Sequence, residues 1–148
     1  MARRIIPDVV KEQQICMLPE TSTALEAAKE MFDRNVAALI VVDDEGSLKG
    51  ILTERDMTRR VLAKDRDSSE TKLSDIMTRE PDTLSPKDTA VQALELMRKH
   101  NYRHIPVVDG NQVVGMVSIR DLYAIVHVEL EENIRETEAF VFGDRYGA

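Results

Sequence analysis

Cysteine is nearly absent from this chain: Cys16 is the only one in 148 residues. One thiol excludes an internal disulfide and any metal site built from several cysteines, and its plainest role is that of a small apolar side chain. There is no tryptophan, and aromatic residues make up 4% of the chain. No apolar run approaches the ~20 residues that cross a bilayer as a helix, so no membrane partner is expected. Met1 to Ile6 begin like a secretion signal, but Asp8, Lys11 and Glu12 interrupt the apolar run too early; a cytoplasmic location is the expectation. The net charge of −7 argues against nucleic acid as a partner, which requires clustered cations. It leaves room for a small anionic ligand, because a local cationic pocket can sit on an acidic protein.

Catalytic signatures are missing as well. The chain has no His-Glu-x-x-His, no paired cysteines, no P-loop and no Gly-x-Gly-x-x-Gly. His100, His104 and His127 fall on different expected elements and lack metal-ligand spacing. No nucleophile–base pair or metal cluster is legible, so neither an enzyme nor a catalytic cofactor is expected.

What the chain does contain is a repetition. Thr23-Ala24-Leu25-Glu26-Ala27 returns as Thr89-Ala90-Val91-Gln92-Ala93, 66 residues on, and the offset holds at Met31/Met97, Asn35/Asn101, Val41/Val107 and Asp43/Asp109. After a one-residue slip in a turn it continues through Gly50/Gly115, Arg55/Arg120 and Asp56/Asp121. A register shared by helix-like, strand-like and turn-like segments marks a duplicated structural unit. Copies of about sixty residues bury little core alone, so the two are expected to share one.

Each copy reads strand, helix, strand, strand, helix. Ser22 or Thr23 caps a helix with a stripe of Leu25, Ala28, Met31 and Phe32. Ala38 to Val42 is a short buried strand, Leu48 to Leu52 the next, and Thr53 opens a helix to about Lys64. The polar stretch 67–72 reads as a linker between a first repeat over 8–66 and a second over 73–138. In the second, Val91, Leu94, Leu96 and Met97 form the helical stripe, and His104 to Val108 the buried strand. Residues 139–148, with Phe140 and Phe142, are an apolar tail, either disordered or docked on a neighbour.

The sharpest local signal is Gly50-Ile51-Leu52-Thr53-Glu54-Arg55-Asp56, matched by Gly115-Met116-Val117-Ser118-Ile119-Arg120-Asp121. Its structural reading is a capping box, a hydroxyl at the N-cap and an acid three residues on. Its functional reading uses the same geometry. A helix start offers free N–H groups to an anion, and a first-turn carboxylate can take both hydroxyls of a ribose. Glycine on the preceding strand lets a flat ring lie against the backbone. The copies also differ: Ala37-Ala38 in the first stands where the second has Arg103-His104, after Tyr102. Arg and His at a strand mouth are suited to phosphate; structurally they are surface charge and a half-buried packing residue.

These motifs, with the apolar-Pro-Val-Val-Asp turn, make the chain resemble a tandem pair of CBS domains, a Bateman module, from about Val9 to Arg135. The resemblance implies an α/β (α+β) fold: two βαββα repeats related by a pseudo-twofold axis and packed through their sheets, with two clefts between them. In similar proteins such clefts bind adenosine-containing ligands, here AMP, ADP, ATP or NAD. Carried onto this sequence, one cleft uses Asp121, Ser118, Arg120, Arg103 and His104, with an adenine wall of Ile15, Cys16 and Val36. The other uses Asp56, Thr53 and Arg55, with Tyr102 and Thr83 nearby, and Ala37-Ala38 leave it the weaker for phosphate. The implied function is a sensor that signals to a separate protein partner or through its own homodimer. The alternative is a dimeric interaction scaffold whose clefts stay empty and whose motifs only cap helices.

Overall fold

The structure is a computed structural model that describes residues 3–10 and 15–143. The first half contains β1 (Met17–Pro19), α1 (Ala24–Arg34), β2 (Ala38–Val42), β3 (Leu48–Thr53) and α2 (Glu54–Asp56), which runs on as a π-helical stretch over Met57–Leu62. The second begins with α3 (Leu73–Ile76) and β4 (Thr78–Arg79), followed by α4 (Ala90–His100), β5 (His104–Asp109), β6 (Gln112–Ser118) and α5 (Ile119–Gly143). One sheet has the order β1-β2-β3-β4, with β1 parallel to β2 and the other pairs antiparallel. The other is the β5-β6 hairpin, joined by Leu84, which bridges Val107 in parallel as Leu18 does Val41.

The duplication is exact at the level of hydrogen bonds. Thr23 and Thr89 both build capping boxes, with Glu26 and Gln92 reaching back to the cap N–H. Asn35 and Asn101 end their helices in the left-handed region, a conformation that asparagine tolerates better than most residues. The hairpins break register at Val41/Val42 and at Val107/Val108.

Each half lends its opening segment to the other. Residues 3–6 run beside the second half: Ala90 N–H donates to Arg3 C=O (2.9 Å), Ile5 N–H to Asp88 C=O (2.8 Å) and Ile6 N–H to Pro86 C=O (3.1 Å). Residues 71–74 make the same three bonds with the first half: Ala24 to Thr71 (2.8 Å), Leu73 to Ser22 (2.9 Å) and Ser74 to Glu20 (3.1 Å). The side chains follow the backbone. Ile5 and Val10 pack with Ala93, Met97, Ile105, Val117 and Leu122, while Leu73, Ile76 and Met77 pack with Met31, Leu39, Leu52 and Val61. Two cores therefore form, each completed by the other half's leader. The polar stretch before α3 takes part: Ser68 C=O accepts from Leu25 N–H at 2.9 Å, and Thr71 is buried with its hydroxyl on Asp67 C=O.

The helix faces differ from the sequence reading. Ala24, Ala27 and Met31 are the buried residues of α1, and Ala90, Ala93 and Met97 those of α4. Leu25 and Val91 point outward, and Phe32 is 85% exposed. Alanines facing the sheet let the helix lie close to it, and this rotates the larger residues away from the core. The last helix also passes residue 138 and takes in Phe140 and Val141, reaching Gly143; residues 144–148 of the expected tail lie outside the described residues. The opening strand expected over residues 1–20 is a wide turn over Ile5–Val9 followed by β1.

Candidate functional site

Strand pairing places each motif hydroxyl opposite the first residue of the neighbouring strand: Thr53 faces Ala38, and Ser118 faces His104. The residue before each strand then holds the helix start, because Glu54 N–H donates to Ala37 C=O (3.0 Å) and Ile119 N–H to Arg103 C=O (2.8 Å). Both motifs close as capping boxes. Asp56 Oδ2 accepts from Thr53 N–H at 2.9 Å, and Thr53 Oγ1 accepts from Asp56 N–H at 3.2 Å. Asp121 Oδ2 accepts from Ser118 N–H at 2.8 Å and from its hydroxyl at 2.9 Å. In both, capping occupies Oδ2. Oδ1 of Asp56 meets only Arg60 Nε, 3.8 Å away, and Oδ1 of Asp121 has no hydrogen bond among the described residues.

A cleft of about 620 Å³ opens between the halves, within the ~300–1,000 Å³ range of small-ligand pockets. From the first half it is lined by Ala37, Ile51, Thr53, Glu54, Arg55, Asp56 and Arg59; from the second by Thr78, Glu80, Pro81, Asp82 and residues 100–104. Arg55, Arg59 and Arg103 have no ion pair or side-chain hydrogen bond among the described residues. Asp82 is engaged: the Tyr102 hydroxyl donates to its Oδ2, and His100 Nε2 lies 3.7 Å from the same oxygen. The His100 and Tyr102 rings stack at 5.5 Å, 5° from parallel. Burial raises the Tyr102 pKa and the Asp82 bond raises it further, so the phenol stays protonated as a donor. Burial lowers that of His104, against the pull of Asp121 and Glu54 and with the help of Arg103. The carboxylates of both motifs thus act on this one imidazole.

The structure groups the expected residues differently from the sequence. Thr53, Arg55, Asp56 and Tyr102 share the cleft, and Arg103 and His104, grouped with Asp121 on the sequence, line it too. The cations of the second half face the acid of the first. Ser118 and Asp121 stand on the other side of the β5–β6 pair, with Arg120 exposed. Cys16 is buried in the first core, where burial raises its pKa; Ile15 is half-buried, Val36 is 37% exposed and Thr83 exposed. None of these four lines the cleft. Sequence reasoning missed Arg59, His100 and Asp82. Arg59 stood one helical turn beyond Arg55, a usable signal. Asp82 gave none, since its contact with Tyr102 spans 20 residues.

Residues 3–63 and 73–128 both match the CBS domain family, and the chain belongs to it. It is a CBS-domain regulatory module. It is 38% identical over 125 residues to the mitochondrial CBS domain-containing protein CBSX3 of Arabidopsis thaliana, with 82% of this chain and 61% of that protein covered; it thus spans less than two thirds of that relative. It is 38% identical to CBS domain-containing protein YhcV of Bacillus subtilis over 109 residues, 74% of this chain and 76% of that one. Among solved structures, CBS domain protein PAE2072 of Pyrobaculum aerophilum, complexed with AMP, matches with TM-score 0.69 and 31% identity over 74% of this chain and 84% of that chain. No described helix is long and apolar enough to cross a membrane.

Proposed function

We propose that the chain is a cytoplasmic, non-catalytic sensor that binds an adenosine-containing ligand, AMP, ADP, ATP or NAD, and signals to a partner or through a homodimer. One observation carries this reading: the Thr53–Asp56 helix start faces Tyr102, Arg103 and His104 across a cleft of ligand size. Asp56, with Oδ2 committed to its cap, keeps Oδ1 for a ribose hydroxyl. Arg55 and Arg103 supply unpaired guanidinium groups for phosphate, and the free N–H groups at the start of α2 add to them. The relative solved with AMP supports this chemistry.

Titration calorimetry with AMP, ATP and NAD tests it. Binding that is lost in Asp56→Asn, whose amide oxygen still caps the helix, supports the reading; no heat with any of the three refutes it. The capping boxes on both Asp56 and Asp121 favour a second reading, a dimeric scaffold without ligand. Under that reading no adenine nucleotide raises the unfolding midpoint, whereas a ligand at 100 times its Kd adds about 2.7 kcal/mol.

A further inference from the structure

The outer part of α5 has no role in either core. The family match ends at residue 128, yet the helix continues to Gly143, an arm of about 20 Å at ~1.5 Å per residue. Leu130, Ile134, Thr137 and Val141 recur along it at the spacing of one helical face. Leu130, Ile134 and Val141 are each more than half exposed. Glu131 and Glu138 border this stripe on one side, Glu129 and Glu136 on the other. Two such arms laid together would set glutamates against glutamates, which is repulsive. The arm therefore calls for an apolar surface edged with cations.

The first half presents one. Phe32 on α1 and Leu62 at the end of the π-helical stretch are 85% and 74% exposed, and these two elements pack on each other. Lys29, Lys64 and Arg66 stand on the same elements and their exit turn, and none has an ion pair among the described residues. Asp33 and Asp65 interrupt the cations without outnumbering them. We propose that the α5 arm of one chain docks on the Phe32–Leu62 surface of a second copy, with the glutamates beside Lys29, Lys64 and Arg66. The exchange is reciprocal, so a twofold pair satisfies both arms at once. Of the proposed function, this docking rests only on self-association and not on nucleotide binding.

Site-specific cross-linking of the full chain tests it. Leu62→Cys and Ile134→Cys chains are treated with a short bis-maleimide, separately and mixed; Cys16 is buried and does not compete. Linked pairs that form in the mixture, and not in either variant alone, are expected. Links within Leu62→Cys alone, or none in the mixture, overturn the docking. In sedimentation, Ile134→Asp should weaken the dimer by about tenfold or more, and Ile134→Asp together with Leu62→Asp no further. A chain that sediments as a monomer at all concentrations also overturns it. AMP titration of Ile134→Asp keeps the nucleotide reading separate, because its cleft is untouched.

Discussion

Gly50 passes so close to Met77 that a Cβ on the glycine would lie 2.6 Å from the methionine Sδ. The same Cβ would stand 2.7 Å from Thr78 C=O. The side chain can turn aside, but the carbonyl belongs to β4, which pairs with β3 at this point. Gly50→Ala should therefore destabilise the fold by about 1–3 kcal/mol, read as a lower urea midpoint. Trimming Met77 should not restore it, since the carbonyl remains.

Ile5 is an early residue of the chain but a core residue of its second half. Ile5→Ala should cost about 2–5 kcal/mol through the cavity it leaves. Hydrogen exchange should show the loss first at α4 and β5, around Met97 and Ile105, and not at the Leu39–Leu52 pair.

Arg60 donates from one Nη1 to the carbonyls of Ile76 and Met77, both at 2.9 Å, and so closes the end of α3. Arg60→Met keeps most of the stem and removes the donors. The expected loss is about 1–3 kcal/mol, in the range for charged donors, with little change in nucleotide affinity.

Arg103→Ala should separate phosphate from nucleoside. Loss of a charge-assisted bond should weaken AMP by about tenfold or more and leave adenosine unchanged in calorimetry. Equal losses for both would place Arg103 away from the phosphate.

His104 should make stability fall with acid. Its folded pKa lies below the ordinary 6.5 because of burial, so the unfolded chain binds the proton more readily. The stability tied to neutral His104 is whole above that ordinary value and is lost as pH falls from there toward the lower folded one. Urea midpoints at about pH 7.5 and about pH 5.5 should differ less in His104→Gln than in the parent chain.

The fold was open to reading wherever a local rule repeated. Thr23 and Thr89, Asn35 and Asn101, and the two Gly-x-x-[Ser/Thr]-x-x-Asp motifs each stand 65 or 66 residues apart and became matching caps and turns. The faces of α1 and α4 did not follow the largest side chains, because alanine sets how near a helix can lie to a sheet. Nor did the pairing of motifs: Arg103 and His104 follow Tyr102 in sequence and precede Ser118 in the sheet, yet they look across the molecule to Asp56. Which half a strand mouth addresses depends on how the halves turn toward each other, and nothing within one repeat encodes that angle.

The exchanged leaders bear on how such a chain is divided. Cut at residue 67, neither piece keeps the segment that finishes its own interior, for Leu73 and Ile76 depart with one fragment and Ile5 with the other. A lone repeat supplied with its own leader would have to borrow from a sister molecule, and would exist as an interlocked pair. The present chain is that pair written on a single strand, and the seam between its halves is crossed twice.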